Sequence, residues 1–400
     1  MVRMRLLAGL LVGVCLARVS ADLVLVGGGL ADDNSDVYGK FVELAGGVGV
    51  AKIGVITTAS ANPLESAIFY EALFTELYGA ASATWIPVTE NSGNADTQEI
   101  YDLVAAQTGL FLGGGDQARI MTGWRKADGT ASLGMQALLE AAESGVVGGT
   151  SAGAACQGSG PMIEGGLSYQ ALRYGAYPGG YNPDYPDDLC YDERGGLGTL
   201  QDYIVDTHYS ERGREGRLIE LVLDTMTGDA STQKALGIDE NTGVHVDRYG
   251  NAKVLGAAGG AMVVDLREAT HVEGTYTRLQ GVRVSFFTEG DAFNLYNDSY
   301  TIASWKSNLA GQEYYDTAPT SSNIFSSPDA NPREDGVFRE VATSLWDSKE
   351  DSCVSDTYER NPEFVVTLSK SDGAGFGGFS HDTSTWTMSY ARMAVDIDYQ

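Results

Sequence analysis

The feature that most constrains this chain is a regular alternation between residues 22 and 157. Short apolar runs are each followed by an amphipathic stretch, and glycines cluster where three of the runs end. Leu23-Val-Leu-Val26 opens the series and leads into Gly27-Gly-Gly29. Ile53-Gly-Val-Ile-Thr57, Ala83 to Val88, Gly109-Leu-Phe-Leu112 and Gly145-Val-Val-Gly148 are further strand candidates. Between them, Val37 to Leu44, Ser66 to Leu77, Ile100 to Gln107 and Leu133 to Ser144 place apolar residues three and four apart, the helical period. Strands buried on both faces and joined by helices predict a three-layer α/β sandwich around a mostly parallel sheet. Ligands of such sheets bind beyond the carboxyl ends of the strands, where the glycines fall.

Beyond residue 157 the pattern loosens. Residues 168–200, rich in Tyr, Gly, Pro and Asp, read as a long irregular loop forming the rim of a site. Residues 217–227 read as a helix. Short β-type runs follow to residue 297, among them Ala261-Met-Val-Val-Asp265 and Val282-Arg-Val-Ser-Phe286. Residues 298–400 are polar and read as an appended β-rich, loop-rich extension to a 22–297 domain.

Residues 1–21 have the form of a cleaved signal peptide. Arg3 and Arg5 precede an apolar run from Leu6 to Leu16, and Val19-Ser-Ala21 supplies small residues for cleavage. The expectation is a secreted protein with no membrane attachment after cleavage. The net charge of −28 argues against nucleic acid or anionic membrane as a partner. Of the four cysteines, Cys15 would leave with the leader. Cys156, Cys190 and Cys353 remain, an odd number that predicts a free thiol, Cys156 being the buried candidate. A Cys190–Cys353 bridge stays open, as does a homodimer. The lack of CxxC or HExxH spacing predicts neither a protein-bound metal nor a cofactor.

Gly149-Thr-Ser-Ala-Gly153 is a G-x-S-x-G motif between an apolar strand and a helix start, the setting of a nucleophile elbow. Small neighbours let Ser151 sit on a tight turn with its hydroxyl exposed. The following N–H, of Ala152, is then placed to meet an oxyanion. A glycine-rich packing turn with a capping serine is the structural alternative. A serine nucleophile needs a base, and His208 in Asp206-Thr-His208 follows the apolar Tyr203-Ile-Val205 at another strand end. Arg212, Arg214 and Arg217 stand out in so acidic a chain and could grip carboxylates. A salt-bridged surface helix with Glu211, Glu215 and Glu220 is the plainer reading, which Gly213 and Gly216 disfavour. Asp239 and Glu240 offer an acid to orient the imidazole.

In order along the chain, a set of motifs resembles cyanophycinase and related serine peptidases, including aspartyl dipeptidases. They are Val26-Gly-Gly28, Phe41-Val-Glu-Leu-Ala-Gly46, Ile56-Thr-Thr-Ala-Ser60, Gly114-Gly-Asp-Gln117-Ala-Arg-Ile120 and Gly148-Gly-Thr-Ser-Ala-Gly-Ala154. Asp206-Thr-His208 with its three arginines, Leu236-Gly-Ile-Asp-Glu240 and Gly290-Asp-Ala-Phe293 complete the set. The resemblance covers residues 22–297. It implies a flavodoxin-like or class I amidotransferase-like fold and a Ser151–His208–Glu240 triad. It also implies an oxyanion hole from Ala152 and Gly114 or Gly115, and a substrate pocket of Gln117, Asp206, Thr207, Arg212, Arg214 and Arg217. The implied reaction hydrolyses cyanophycin, an aspartate polymer bearing arginine on each side-chain carboxyl, to β-Asp-Arg. Asp206 would meet the arginine guanidinium and the three arginines the carboxylates. The family tends to carry Gln where this chain has Thr207, which points to an altered pocket and leaves another β-aspartyl peptide open as substrate. Two readings of other kinds are an α/β-hydrolase esterase using Ser151 with His381, and an inactive binding protein.

Overall fold

The computed structural model describes residues 22–227, 232–256, 258–380 and 384–400. The expected leader, residues 1–21, and His381 lie outside them.

The sequence's opening alternation folds as written. Strands β1 (Asp22–Val26), β2 (Lys52–Ile56), β3 (Ser82–Trp85), β4 (Gly109–Leu112) and β5 (Val146–Thr150) alternate with helices α1 (Ser35–Leu44), α2 (Pro63–Ala72), α3 (Gln98–Ala105), α4 (Gln117–Trp124) and α5 (Leu133–Ala142). The helix starts are set by local chemistry. Asn34, Thr97, Asp116 and Ser132 each cap one, the side-chain oxygen accepting an otherwise orphaned backbone N–H. Proline near the amino end of α2 starts that helix three residues before Ser66. Its last turn, Leu73–Leu77, widens to a π-helix. Helix α6 (Ala152–Ala155) is a single turn that follows β5.

The five strands pair in parallel in the order β3-β2-β4-β5-β1. Antiparallel β11 (Gly243–Val246), β12 (Asn251–Leu255), β16 (Ala292–Asn294) and β17 (Tyr300–Thr301) extend the same sheet beyond β1. One face of this sheet buries Val24, Phe41, Phe74 and Phe111 against α1 and α2. The other buries Leu25, Leu112, Ile120, Trp124 and Leu138 under α3 to α5. This is the layered α/β arrangement the apolar runs predict.

A second large sheet was not legible as such. Strands β9 (Ile204–Thr207) and β10 (Lys234–Ile238) pair in parallel, and β13 (Gly260–Asp265), β15 (Leu279–Thr288) and the long β22 (Trp386–Tyr399) follow antiparallel. Strands β21 (Ala374–Phe379), β18 (Ser307–Asn308), β20 (Phe364–Ser369), β19 (Ser352–Asp356) and β14 (Thr270–His271) complete it. Residues 298–400 are β-rich: β17 extends the first sheet, and their other strands join the sheet that begins with β9. Helices α8 (Glu215–Thr225) and α9 (Val337–Trp346) share its core with Phe286, Phe338, Trp346 and Val395.

The 168–200 segment is not one irregular loop. It forms α7 (Ser168–Tyr174), β7 (Ala176–Pro178) and β8 (Leu189–Asp192), and β8 pairs with both β7 and β6 (Met162–Gly165). The tyrosine- and glycine-rich composition hides this, because β8 finds its partner β6 across a long intervening stretch. Burial of Tyr169, Leu172 and Leu189 holds the unit down. Cys156, Cys190 and Cys353 are all buried free thiols, so the Cys190–Cys353 bridge is not made.

Candidate active site

The site lies where the carboxyl ends of β1 and β5 in the first sheet meet those of β9 and β10 in the second. Val26 pairs with Thr150, and Ile238 with Thr207. Each register sets two strand ends side by side, and backbone bonds from His208 and Asn241 to Gly27 and Gly28 join the two pairs.

Ser151 follows β5 with φ 53° and ψ −117°, a backbone conformation unusual for a residue with a side chain. Its N–H donates to Val26 O at 2.9 Å. The turn is tight because glycines allow it. A Cβ on Gly149 would stand 2.1 Å from Gly153 O, and one on Gly153 would stand 2.2 Å from Leu112 O. The motif's two glycines are thus required by close backbone approach, as expected of an elbow rather than of a loose capping turn.

His208 also has positive φ, 48°, and its N–H donates to Gly27 O at 2.7 Å. Its Nε2 lies 2.8 Å from Ser151 Oγ, and its Nδ1 lies 2.5 Å from Glu240 Oε1. A carboxylate only accepts, so Nδ1 carries the proton and Nε2 is left to accept from the serine hydroxyl. Burial pushes the imidazole pKa down. The hydrogen bond to Glu240 opposes this, and Arg212 and Arg214 reinforce it, so the net direction is below the ordinary histidine value. That direction favours the neutral ring, whose Nε2 can accept a proton. Asn241, after Glu240, again has positive φ and donates its N–H to Gly28 O at 2.8 Å. Gly114 lies against Ser151, since its Cβ would stand 3.3 Å from that of the serine.

A cavity of about 360 Å³ opens beside Ser151. Gly115, Gln117, Asp206, Thr207, Arg212, Arg214 and Arg217 all line it, so the residues expected of a pocket are brought together. Their roles divide differently from the expectation. Asp206 is fully buried, and its carboxylate already accepts from Arg217 Nε and Nη2 (2.9 and 2.7 Å), Arg214 Nη1 (3.2 Å) and the Thr207 N–H (2.8 Å). Burial alone would raise its pKa, but Arg217 and Arg214 outweigh it and hold the carboxyl below its usual value. Asp206 thus organises the two arginines, three of its four hydrogen bonds falling on Oδ1 and one on Oδ2. Arg217 makes a further bond, its Nη1 donating to Gly166 O at 2.8 Å. Arg214 binds Thr207 O at 2.6 Å. Arg212 is exposed, and among the described residues its guanidinium has no partner. Gln117 Nε2 donates to Ile163 O at 2.6 Å, fixing that side chain across the pocket floor.

Sequence reasoning missed one acid of this cavity. Glu164, at the end of β6, lines the cavity with Asp116 and Tyr181. Burial, then Asp192 and Asp116, push its carboxyl pKa up. A single acid in Met162-Ile-Glu-Gly165 gives no signal in one sequence. It becomes visible only once the 168–192 unit folds against the site. Among the described residues, no group of His, Cys, Asp and Glu side chains is arranged to hold a metal ion. The histidine of the esterase alternative, His381, lies outside the described residues, and the imidazole against Ser151 is that of His208.

The sequence profile described as peptidase family S51 matches residues 23–253. A cyanophycinase from Synechococcus elongatus and one from Thermosynechococcus vestitus are each 28% identical to this chain over 282 residues, covering 68% of it and 79% of the relative. Among solved structures, a peptidase from an acI-B1 Actinobacterium is 17% identical, with a TM-score of 0.45, covering 70% of this chain and 98% of its own. With a match across more than half of its length, this chain belongs to peptidase family S51.

Proposed function

We propose that this S51 peptidase is a serine hydrolase with Ser151 as nucleophile, His208 as general base and acid, and Glu240 as the group that orients the imidazole. The unbroken line of hydrogen bonds from Ser151 Oγ through His208 to Glu240 carries the reading. In the reaction, Nε2 takes the hydroxyl proton as Oγ attacks the scissile carbonyl carbon. The N–H groups of Ala152 and of Gly114 or Gly115 receive the oxyanion. His208 then gives the proton to the leaving amine, the C–N bond breaks, and water hydrolyses the acyl-enzyme by the same route in reverse. None of these steps calls on a metal or cofactor.

We further propose an aspartate-backbone substrate bearing arginine, namely cyanophycin or a related β-aspartyl peptide. The two-signed lining of the pocket supports this: Arg212 and Arg214 offer donors to carboxylates, and Glu164 offers an acceptor to a guanidinium. Glu164 takes the role expected of Asp206. The basic start, apolar run and small residues within 1–21 support export of the protein.

The test is incubation with insoluble cyanophycin. The protein should release β-Asp-Arg, and Ser151→Ala should release none. A wild type that leaves the polymer intact but hydrolyses β-aspartyl peptides would remove the polymer alone; a fully active Ser151→Ala would remove the mechanism.

A further inference from the structure

The family match ends at residue 253, yet one side chain from far beyond it reaches the back of the catalytic set. Helix α9 is amphipathic. Val337, Phe338, Val341, Ala342, Leu345 and Trp346 are buried, which fixes the helix on the second sheet. Gly336, just before it, donates its N–H to Ser210 O at 3.0 Å, two residues after His208. From the first turn of α9, Arg339 Nη1 donates to Glu211 Oε1 at 3.0 Å and to Asp239 Oδ2 at 2.7 Å.

Both carboxylates hold catalytic backbone with their remaining lone pairs. Glu211 Oε2 accepts the N–H of Glu240 at 3.1 Å. Asp239 Oδ1 accepts the N–H of Ser210 at 3.0 Å, and its Oδ2 accepts that of Gly260 at 3.1 Å. One guanidinium therefore ties the segment carrying His208 to the segment carrying Glu240, through two acids that would otherwise repel each other. Asp239 is 1% exposed, so water cannot take over the task.

We propose that Arg339 is a positioning residue for the His208–Glu240 pair, and that residues 298–400 complete the catalytic centre of this chain rather than decorate it. The proposal rests on Ser151, His208 and Glu240 being the reactive set. Without Arg339, one acid must turn away or take a proton, and Glu240 loses the acceptor that fixes its backbone. The imidazole then loses its orienting partner, while the pocket that binds substrate, formed by other residues, is unchanged. A misplacement of this kind lowers the chemical step on the order of 10- to 100-fold. An ordinary structural ion pair would lower the unfolding midpoint and leave the chemistry of the folded protein alone.

The experiment measures reaction of Ser151 with a fluorophosphonate, which separates the maximal labelling rate from the reagent's binding constant and needs no knowledge of the natural substrate. Arg339→Met should label about 10- to 100-fold more slowly at saturation, with the binding constant within about threefold of wild type. Arg339→Lys, which keeps the charge on a shorter side chain that reaches less far towards the place where Nη1 bridges both acids, should lie between the two. A folded Arg339→Met with a saturating rate within about twofold of wild type would overturn the proposal. Should that variant not fold, Glu211→Ala is read in the same way: a comparable loss supports the proposal, and an unchanged rate overturns it. A wild type that is not labelled at Ser151, judged against Ser151→Ala, would remove the underlying catalytic reading and this proposal with it.

Discussion

A Cβ on Gly28 would stand 2.3 Å from Nε2 of His208, the same nitrogen that lies 2.8 Å from the Ser151 hydroxyl. Gly29 stands in a similar relation to Glu240, its Cβ position lying 2.9 Å from Oε2. The glycines after β1 are thus the floor on which His208 and Glu240 rest. Gly28→Ala must displace the imidazole, and at φ +97° it also strains the backbone. The expected result is a loss of turnover of about 100-fold or more, with a folded protein by circular dichroism. A Gly28→Ala enzyme of near-normal activity would show that His208 does not work from this position.

The imidazole's depressed pKa sets the acid limb of activity. Only the neutral ring accepts the serine proton, so kcat/KM should rise as pH rises through a value below the ordinary 6.5. Arg212 contributes to that depression. Replacing it by Gln removes a nearby positive charge, which raises the pKa and moves the limb to higher pH. A pH–rate profile of the two proteins checks the direction, and a limb that stays put or moves down contradicts the assignment of His208 as the base.

Glu164→Gln tests the division of the pocket. If this acid takes the guanidinium, the loss of a charge-assisted hydrogen bond should raise KM for an arginine-bearing β-aspartyl dipeptide by roughly 10-fold or more. KM for a β-aspartyl dipeptide with an uncharged partner should hardly change. Equal effects on the two substrates would place the guanidinium elsewhere.

Lys306 shows how firmly the later residues are stitched in. Its ammonium is fully buried and donates to Asp291 Oδ2 (2.8 Å), Thr288 Oγ1 (2.7 Å), Ser389 Oγ (3.0 Å) and Glu289 O (3.2 Å). Lys306→Met leaves Asp291 as an uncompensated buried charge and should destabilise by about 3–5 kcal/mol. Adding Asp291→Asn should recover part of that loss, because the two groups are coupled. Denaturant unfolding of the three variants gives both quantities.

The legible parts of this protein are those written in local signals. The apolar runs from Leu23 to Gly148 specify the parallel strands, and the glycines on either side of Ser151 announce the elbow. His208 could be named because it follows an apolar run, which puts it at a strand end; a similar run offers Asp239 and Glu240 alike, and only the family resemblance singles out Glu240. Helix α4 was missed although Asp116, its cap, stands in plain view, because the run from Gly113 reads as one glycine-rich loop. What stayed hidden depends on pairing between distant segments. No period in the sequence tells that β9 and β10 leave the first sheet, that β8 seeks β6, or that α9 delivers Arg339 to Asp239. The bonds of Asp206 stayed hidden for the same reason: composition places it near three arginines but cannot show that its carboxylate binds two of them.

Strand β22 pairs with β15 on one edge and with β20 and β21 on the other. A polypeptide leaves the ribosome amino end first, so Trp386–Tyr399 emerges after every strand it must join. Until then β15 presents an open row of amide and carbonyl groups, a template for pairing with another chain. The nascent protein therefore cannot finish piecemeal, and whatever escorts it must shield that edge to the last. A premature stop codon ahead of residue 386 would give a sticky fragment, not a smaller enzyme.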